Sequence, residues 1–440
     1  MSLPGTTTDF INWAYLLKGN YRKGVHRLRE IMGTPEQAQA LCSNAGALCL
    51  ILGHDPAVPD ANSEELRGIL LDGRYTDLAI ENWLPLVFED TIENIVSNKT
   101  TVAAIIAGSS TAPAIAASDK WLAKCLCTLA ETSATSINSL ADLIANTSAL
   151  TAVLNSTSAM STVANSEKLL LLILNDEDAK DSLLGNSTAM GIIMDTPNAV
   201  TTLVSFFGND GILENDDLFN LFKGNDTFAQ DCATKYASTF SSESYFTIGR
   251  LGSLAKEHPT MFSSYKKKKI SVAITGNGTH SFTLSDINMK GAGFLFVCDD
   301  LVGTHRMNAS NTTSGGWESC EMRSWLNGTM LNNFPAELRS VIKSVSNKNT
   351  SGYGAATTSD KLWIPSWTEV GLESGDAEGA KFSIFTSNSN RIRKNGGSAA
   401  YWWLRSVYSS TGFRYVLTDG SLDYDVASIA YGVCPCFCIG

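Results

Sequence analysis

Apolar positions in the middle of the chain recur with a period of ten. Ala149, Ala159, Leu169, Ala179, Ala189 and Ala199 share one phase, and Leu140, Leu150, Met160, Leu170, Met190 and Val200 the next, with Lys180 the exception. Four residues after the first phase stand Leu143, Val153, Val163, Ile173, Leu183, Ile193 and Leu203. Beside these lie Ile144, Leu154, Ala164, Leu174, Leu184, Met194 and Val204. Residues one and four apart share a helix face. Asn155, Asn165, Asn175, Gly185 and Asp195 then interrupt the pattern, and Asn or Gly there suits a left-handed helix cap. Ser156, Ser166, Asp176, Ser187 and Pro197 suit the start of the next helix. Each decad over 139–205 therefore predicts about two helical turns and a corner. So short a unit cannot hide its own apolar face, and must stack on its neighbours or pair with sister chains. One long helix in a trimeric bundle is the alternative. It needs about 3.33 residues per turn, tighter than the ~3.5 of a coiled coil, and the breakers weigh against it.

On the N-terminal side, Phe10, Ile11, Trp13, Ala14, Leu16 and Leu17 open a stretch that reads as helical to about residue 100. Pro35 lies near a helix start, Ser63 offers a cap, and Pro85 marks a break. Residues 206–265 carry Asn/Asp/Gly-rich turns with helical segments between them. The period changes at Ile270, where apolar and polar residues alternate around Gly276-Asn277-Gly278, a hairpin signal. A buried strand follows in "GAGFLFVCDDLVG". The predicted fold class is multidomain α+β. A helical head covers 1–135, a ten-residue-repeat helical spacer and connector 136–265, and a β-rich domain 266–440.

Within that last domain, "GGWESCEMRSWLNGTMLNNFPAELRSVIKSV" predicts two short amphipathic helices. Trp363, Ile364 and Trp367 around Pro365 are bulky anchors for a loop-rich core. Trp402, Trp403 and Leu404 form a buried strand, and Arg405 after them is expected to be buried and paired. Trp317, Arg323, Trp325, Trp363, Trp402, Trp403, Arg405, Gly432 and Pro435 make up the expected scaffold. Between scaffold positions lie Tyr408, Ser409, Ser410, Phe413, Tyr415, Asp419, Ser421, Asp423, Tyr424, Asp425, Ser428 and Tyr431. Such a mixture suits a contact surface, because Tyr supplies large area at low entropy cost and Ser and Asp adapt as hydrogen-bond partners. The plainer reading is a polar β-meander with ordinary turns.

This ordered set of motifs, closing on "YWWLRSVYSSTGFRYVLTDGS" and "YGVCPCFCIG", resembles a domain common in phages and prophages of Gram-positive gut bacteria. That domain has a C-type-lectin-like fold related to the formylglycine-generating-enzyme fold. The resemblance covers about 150 residues from Gly291 onward. It implies a virion fibre protein whose tip binds a host-surface receptor, protein or glycan, through variable loops that a diversity-generating retroelement rewrites. It also implies other virion proteins as partners and, by analogy with fibres, a trimer. "NSTSAMSTVANS" and "NSTAMGIIMD" likewise resemble repeats of phage tail and fibre proteins.

Composition narrows the alternatives. The net charge of −11 argues against nucleic acid as the main partner, since phosphate neutralisation needs excess Lys and Arg. The run Lys266 to Lys269 reads as a solvated linker or an edge-strand guard. The start of the chain shows no basic and apolar signal-peptide regions, and no apolar run approaches the roughly 18 residues that span a bilayer. The expectation is synthesis in a host cytoplasm, no membrane insertion, and incorporation into a virion tail or fibre. The ten cysteines include no paired CxxC motifs, so most are expected to be free and buried, with no metal; Cys434, Cys436 and Cys438 read either as products of retroelement variation or as one face of a terminal strand. No cofactor or catalytic residue is expected. An oxidase of the formylglycine type needs a reactive cysteine pair, and a glycan hydrolase needs paired carboxylates, whereas Asp419, Asp423 and Asp425 lie on loops that suit contact. A structural tail or capsid decoration protein without receptor binding and a cellular, prophage-borne surface adhesin are the remaining alternatives.

Overall fold

In the computed structural model, short helices begin wherever a polar side chain caps the first free amides. Residues 21–44, 118–372 and 377–440 are described, together with Ile69, Val96, Ser97, Lys99 and Val102. The expected helix at Phe10–Leu17, the Ser63 cap and the break at Pro85 lie outside these residues. The chain divides into two units, residues 1–206 and 207–440.

The first unit contains α1 (Tyr21–Met32), α2 (Pro35–Cys42), which starts on Pro35, and α3 (Asp119–Leu129). Then come the repeats: α4 (Leu140–Ala145), α5 (Thr147–Asn155), α6 (Thr157–Ala164), α7 (Glu167–Leu174), α8 (Glu177–Leu184) and α9 (Ser187–Met194). Ser156, Ser166 and Asp176 each accept a hydrogen bond from the amide three residues on, at 3.3, 3.4 and 2.9 Å. The next cap is Asn186, bonded to the Ala189 amide at 2.9 Å; Ser187, expected to begin that helix, is its first helical residue.

The breakers differ from expectation in handedness. Asn165, Asn175, Gly185 and Asp195 all have negative φ, between −77° and −88°. The reason is brevity. The residue after the breaker is extended and caps the next helix at once, so no left-handed residue is needed to turn the chain. Most side chains at the four apolar phases are buried, as at Ala159, Met160, Val163 and Ala164, while Leu184 and Met194 are half-buried. Helices three apart pack together: α3 on α6, α5 on α8, and α6 on α9. An Asn186–Asn155 side-chain bond of 2.9 Å spans one such layer. A single continuous helix is thereby ruled out for this stretch.

The helix α10 (Pro197–Glu214) is broken at Gly208, whose φ of 71° is not helical. In the second unit follow α11 (Asp216–Phe222), α12 (Asp226–Lys235) and α13 (Tyr245–Glu257). Next are β1 (Lys269–Ile274) and β2 (Gly278–Ile287), joined by the expected hairpin with Gly276 and Gly278 at positive φ. β3 (Phe294–Cys298) is buried throughout, and β4 (Thr304–Arg306) is short. The helical region consists of α14 (Gly316–Ser319), α15 (Glu321–Trp325), a π-turn over Leu326–Met330, α16 (Leu331–Asn333) and α17 (Ala336–Val341). The remaining strands are β5 (Ile342–Lys343), β6 (Val345–Lys348), β7 (Thr357–Asp360), β8 (Arg393–Asn395), β9 (Ser398–Ala400), β10 (Trp402–Val407), β11 (Gly412–Val416), β12 (Leu422–Val426), β13 (Ala430–Gly432) and β14 (Cys436–Ile439).

Two five-stranded sheets result, ordered β1-β2-β3-β14-β5 and β12-β11-β10-β13-β4. The first carries the aromatic core, in which Phe282, Phe296 and Phe334 surround Phe437. α13 lies close on this sheet. A Cβ on Gly293 would stand 1.8 Å from the Gly252 carbonyl oxygen, so the approach requires glycine. The helices of 207–265 thus belong to the β-rich unit. In the lysine run, Lys269 opens the edge strand β1 and pairs with Asp299 at 2.8 Å, while Lys266 pairs with Asp286 at 3.3 Å. Among the described residues no helix is long and apolar enough to cross a membrane.

Candidate binding surface

β10 is buried at every position, and the hairpin β11–β12 extends the second sheet outward from it to the edge. The turn closes on Gly420, where a Cβ would meet the Asn388 carbonyl oxygen at 1.9 Å. Asp419 accepts from the Ser421 amide at 2.9 Å and from its hydroxyl at 2.6 Å. Those bonds hold its carboxyl below the usual range.

Strand register sorts the expected contact residues onto two faces. Tyr415 lies opposite Asp423 and Phe413 opposite Asp425, whereas Arg414 lies opposite Tyr424. Residues directly opposite share a face. On the first face Tyr415 packs against Tyr401, Tyr431 and Trp403, with ring centroids 5.4, 4.8 and 5.9 Å away. The Tyr431 hydroxyl donates to Asp425 at 2.6 Å. Burial, then the Asp425 bond, pushes the Tyr431 phenol up, so it stays a donor at neutral pH. On the second face Tyr408 and Tyr424 stack at 3.7 Å. Arg414 lies 4.9 Å from the Tyr408 ring and 3.4 Å from that of Trp367, a sequence of stacked planar groups. Tyr408 and Tyr424 are 44% and 49% exposed, which leaves a flat aromatic platform open.

Of the remaining expected contacts, Ser410, Asp419 and Asp423 are exposed, and Ser409, Ser421, Asp425, Ser428 and Tyr431 are half-buried. Two residues depart from the expectation. Phe413 is fully buried and Tyr415 is 7% exposed. Phe413 lies opposite Val407 at the base of the hairpin. There Thr313 bonds the Ser409 and Ser410 carbonyls, and the Ala427 amide bonds the Thr411 carbonyl. Arg414 and Tyr401 stand outside the expected contact set, and Trp367, expected as a core anchor, is half-buried with Arg414 over its ring. Strand alternation held the signal for Arg414, which shares its parity with Tyr424 across the hairpin.

Behind the hairpin lies a buried polar network. Trp317, Trp363, Trp402, Trp403 and Arg405 are among the largest fully buried side chains, and Gly432 and Pro435 are buried beside them. The Arg405 guanidinium forms an ion pair with Glu369, and donates to the carbonyls of Ile364 at 3.1 Å, Lys348 at 3.0 Å and Glu378 at 2.7 Å. Lys290 pairs with the same Glu369. Burial opposes ionisation of Glu369, but Arg405 and Lys290 outweigh it and hold the carboxyl below its ordinary value. Glu378 accepts from Thr350 at 2.6 Å and from Ser406. Arg323, half-buried, bonds Asp360 at 2.6 Å, and Trp317 bonds it at 3.1 Å. Trp325, expected in the scaffold, is only half-buried and stacks on His305 at 4.5 Å.

The C-terminal cysteines are interior groups. Cys434 donates to the Cys298 carbonyl at 3.3 Å, and burial pushes the Cys438 thiol up to about 12. Among the described residues, no group of three His, Cys, Asp or Glu side chains is placed to hold a metal.

Residues 292–440 match the model of a family described as a domain of unknown function, DUF6273. The matched span takes in the hairpin, the second sheet and most of the network. It leaves out β1 and β2, which complete the first sheet. No curated protein matches the chain.

Proposed function

We propose that the chain is a virion fibre or receptor-binding protein whose β-rich unit, a C-type-lectin-like domain, grips a host-surface ligand with the β11–β12 hairpin. The observation that carries this reading is the exposed Tyr408–Tyr424 stack beside Arg414. Large aromatic groups held open to solvent and already ordered cost little entropy on binding. The network of Arg405, Glu369 and Glu378 fixes the loops from which the hairpin projects, as a preorganised contact surface requires. The stacked repeats α4–α9 serve as a spacer in this reading, and the virion is its location. Asp423 and Asp425 lie on the other face of the hairpin from the Tyr408–Tyr424 stack, and Asp419 and Asp425 accept from neighbouring donors, so in this reading the aromatic pair and Arg414 carry the main contact. The test is binding of the labelled full chain to a panel of Gram-positive gut bacteria. Binding to at least one strain, lost in the Tyr408→Ala/Tyr424→Ala double variant, supports the proposal. A double variant that binds as well as the parent refutes it.

A further inference from the structure

Lys290, Asn347 and Glu369 meet in the interior of the second unit, each from a different segment. Lys290 follows β2, Asn347 lies in β6, and Glu369 follows the Trp363–Trp367 stretch. The side chains of Lys290 and Glu369 are 7% and 0% exposed, and Asn347 is fully buried. Lys290 Nζ donates to Asn347 Oδ1 at 3.0 Å and also to Glu369 Oε1. The amine lies 5.5 Å from the centroid of Trp363 and 5.7 Å from that of Phe382, so its surroundings are aromatic.

The carboxamide is held from its other end. Asn347 Nδ2 donates to Asp360 Oδ2 at 3.0 Å, and Asp360 is itself fixed by Trp317, Arg323 and Thr358. Asn347 therefore keeps its carbonyl toward Lys290. Glu369 also faces two cations, Lys290 and Arg405.

We propose that Lys290 and Asn347 join in an intramolecular amide bond, with Glu369 as the proton carrier. The Glu369 carboxylate takes a proton from the Lys290 ammonium, and the neutral amine attacks Asn347 Cγ. The tetrahedral adduct collapses as its C–Nδ2 bond breaks. The attacking nitrogen passes a proton to the departing nitrogen, and the ammonia so formed takes up the proton held by Glu369 and leaves as ammonium. Lysine ammonium plus primary amide thus gives a secondary amide plus ammonium, with no oxidant and no co-reactant. Fixed neighbours of this kind react with a large effective concentration, and amine nucleophiles activated by burial have precedent in covalent catalysis. The bond ties the segment after β2 to β6, across the sheet-bearing interior, and needs no ligand.

Intact mass spectrometry of the denatured full chain tests this directly. The expected mass is lower than the sequence mass by one ammonia, and protease digestion yields one branched peptide joining residue 290 to residue 347. Lys290→Arg and Glu369→Gln are expected to restore the unlinked mass. Recovery of Lys290 and Asn347 from the parent chain in separate peptides overturns the proposal, whether residue 347 is intact or hydrolysed to Asp. The parent digest decides the matter even where a variant fails to fold.

Discussion

Replacing Arg405 with Met removes the group that ties three loops to one buried carboxylate. The fork of the guanidinium contacts both Glu369 oxygens and the carbonyls of Ile364, Lys348 and Glu378. Breaking a buried pair by deleting one partner costs about 3–5 kcal/mol. Each buried acceptor left without a donor costs about 1–3 kcal/mol more. Relaxation recovers some of this, so a loss of about 5 kcal/mol is a conservative figure for the substitution. For a unit of 150–250 residues, 1 kcal/mol moves the midpoint by about 2–4 °C, so the expected drop is about 10–20 °C. Thermal unfolding of the full chain, followed by near-ultraviolet circular dichroism of the tryptophans, measures it. Arg405→Lys should fall between, since it keeps the charge and loses the fork. A drop under about 3 °C for Arg405→Met would show that the network does not hold the scaffold.

Other perturbations probe separate links. Ser166→Ala removes the cap on the Leu169 amide and should cost the repeat unit about 1 kcal/mol, read as a lower urea midpoint of its helical signal. Gly293→Ala places a methyl group against the Gly252 carbonyl and should abolish native near-ultraviolet dichroism. The Glu369 carboxyl has a folded pKa below its ordinary 4.5. Its contribution is therefore complete above pH 4.5 and is lost as pH falls through the lower folded value. Acid unfolding of the parent should carry this component, and a folded Glu369→Gln variant should lack it.

Much of the fold was legible in the sequence because the signals were local. The decads announced themselves by four apolar phases and a capping residue, and those residues form most of the buried faces of α5–α9 and the caps of α6, α7 and α8. Trp402, Trp403 and Leu404 marked the buried strand, and Arg405 follows them into the interior. Its partner was not legible, since Glu369 stands 36 residues away and Lys290 a further 79. Only tertiary folding brings these three together. The surface was legible in composition but not in geometry. Phe413 and Tyr408 belong to one Tyr/Ser/Asp-rich stretch, yet strand pairing buries the first opposite Val407 and leaves the second open.

Hydrogen exchange of the full chain, with and without a surface extract of a strain it binds, tests the account at its centre. Slowed exchange across 406–426, with no change over 139–205, is the expected result. Protection confined to the repeat helices, with the hairpin unaffected, would contradict it.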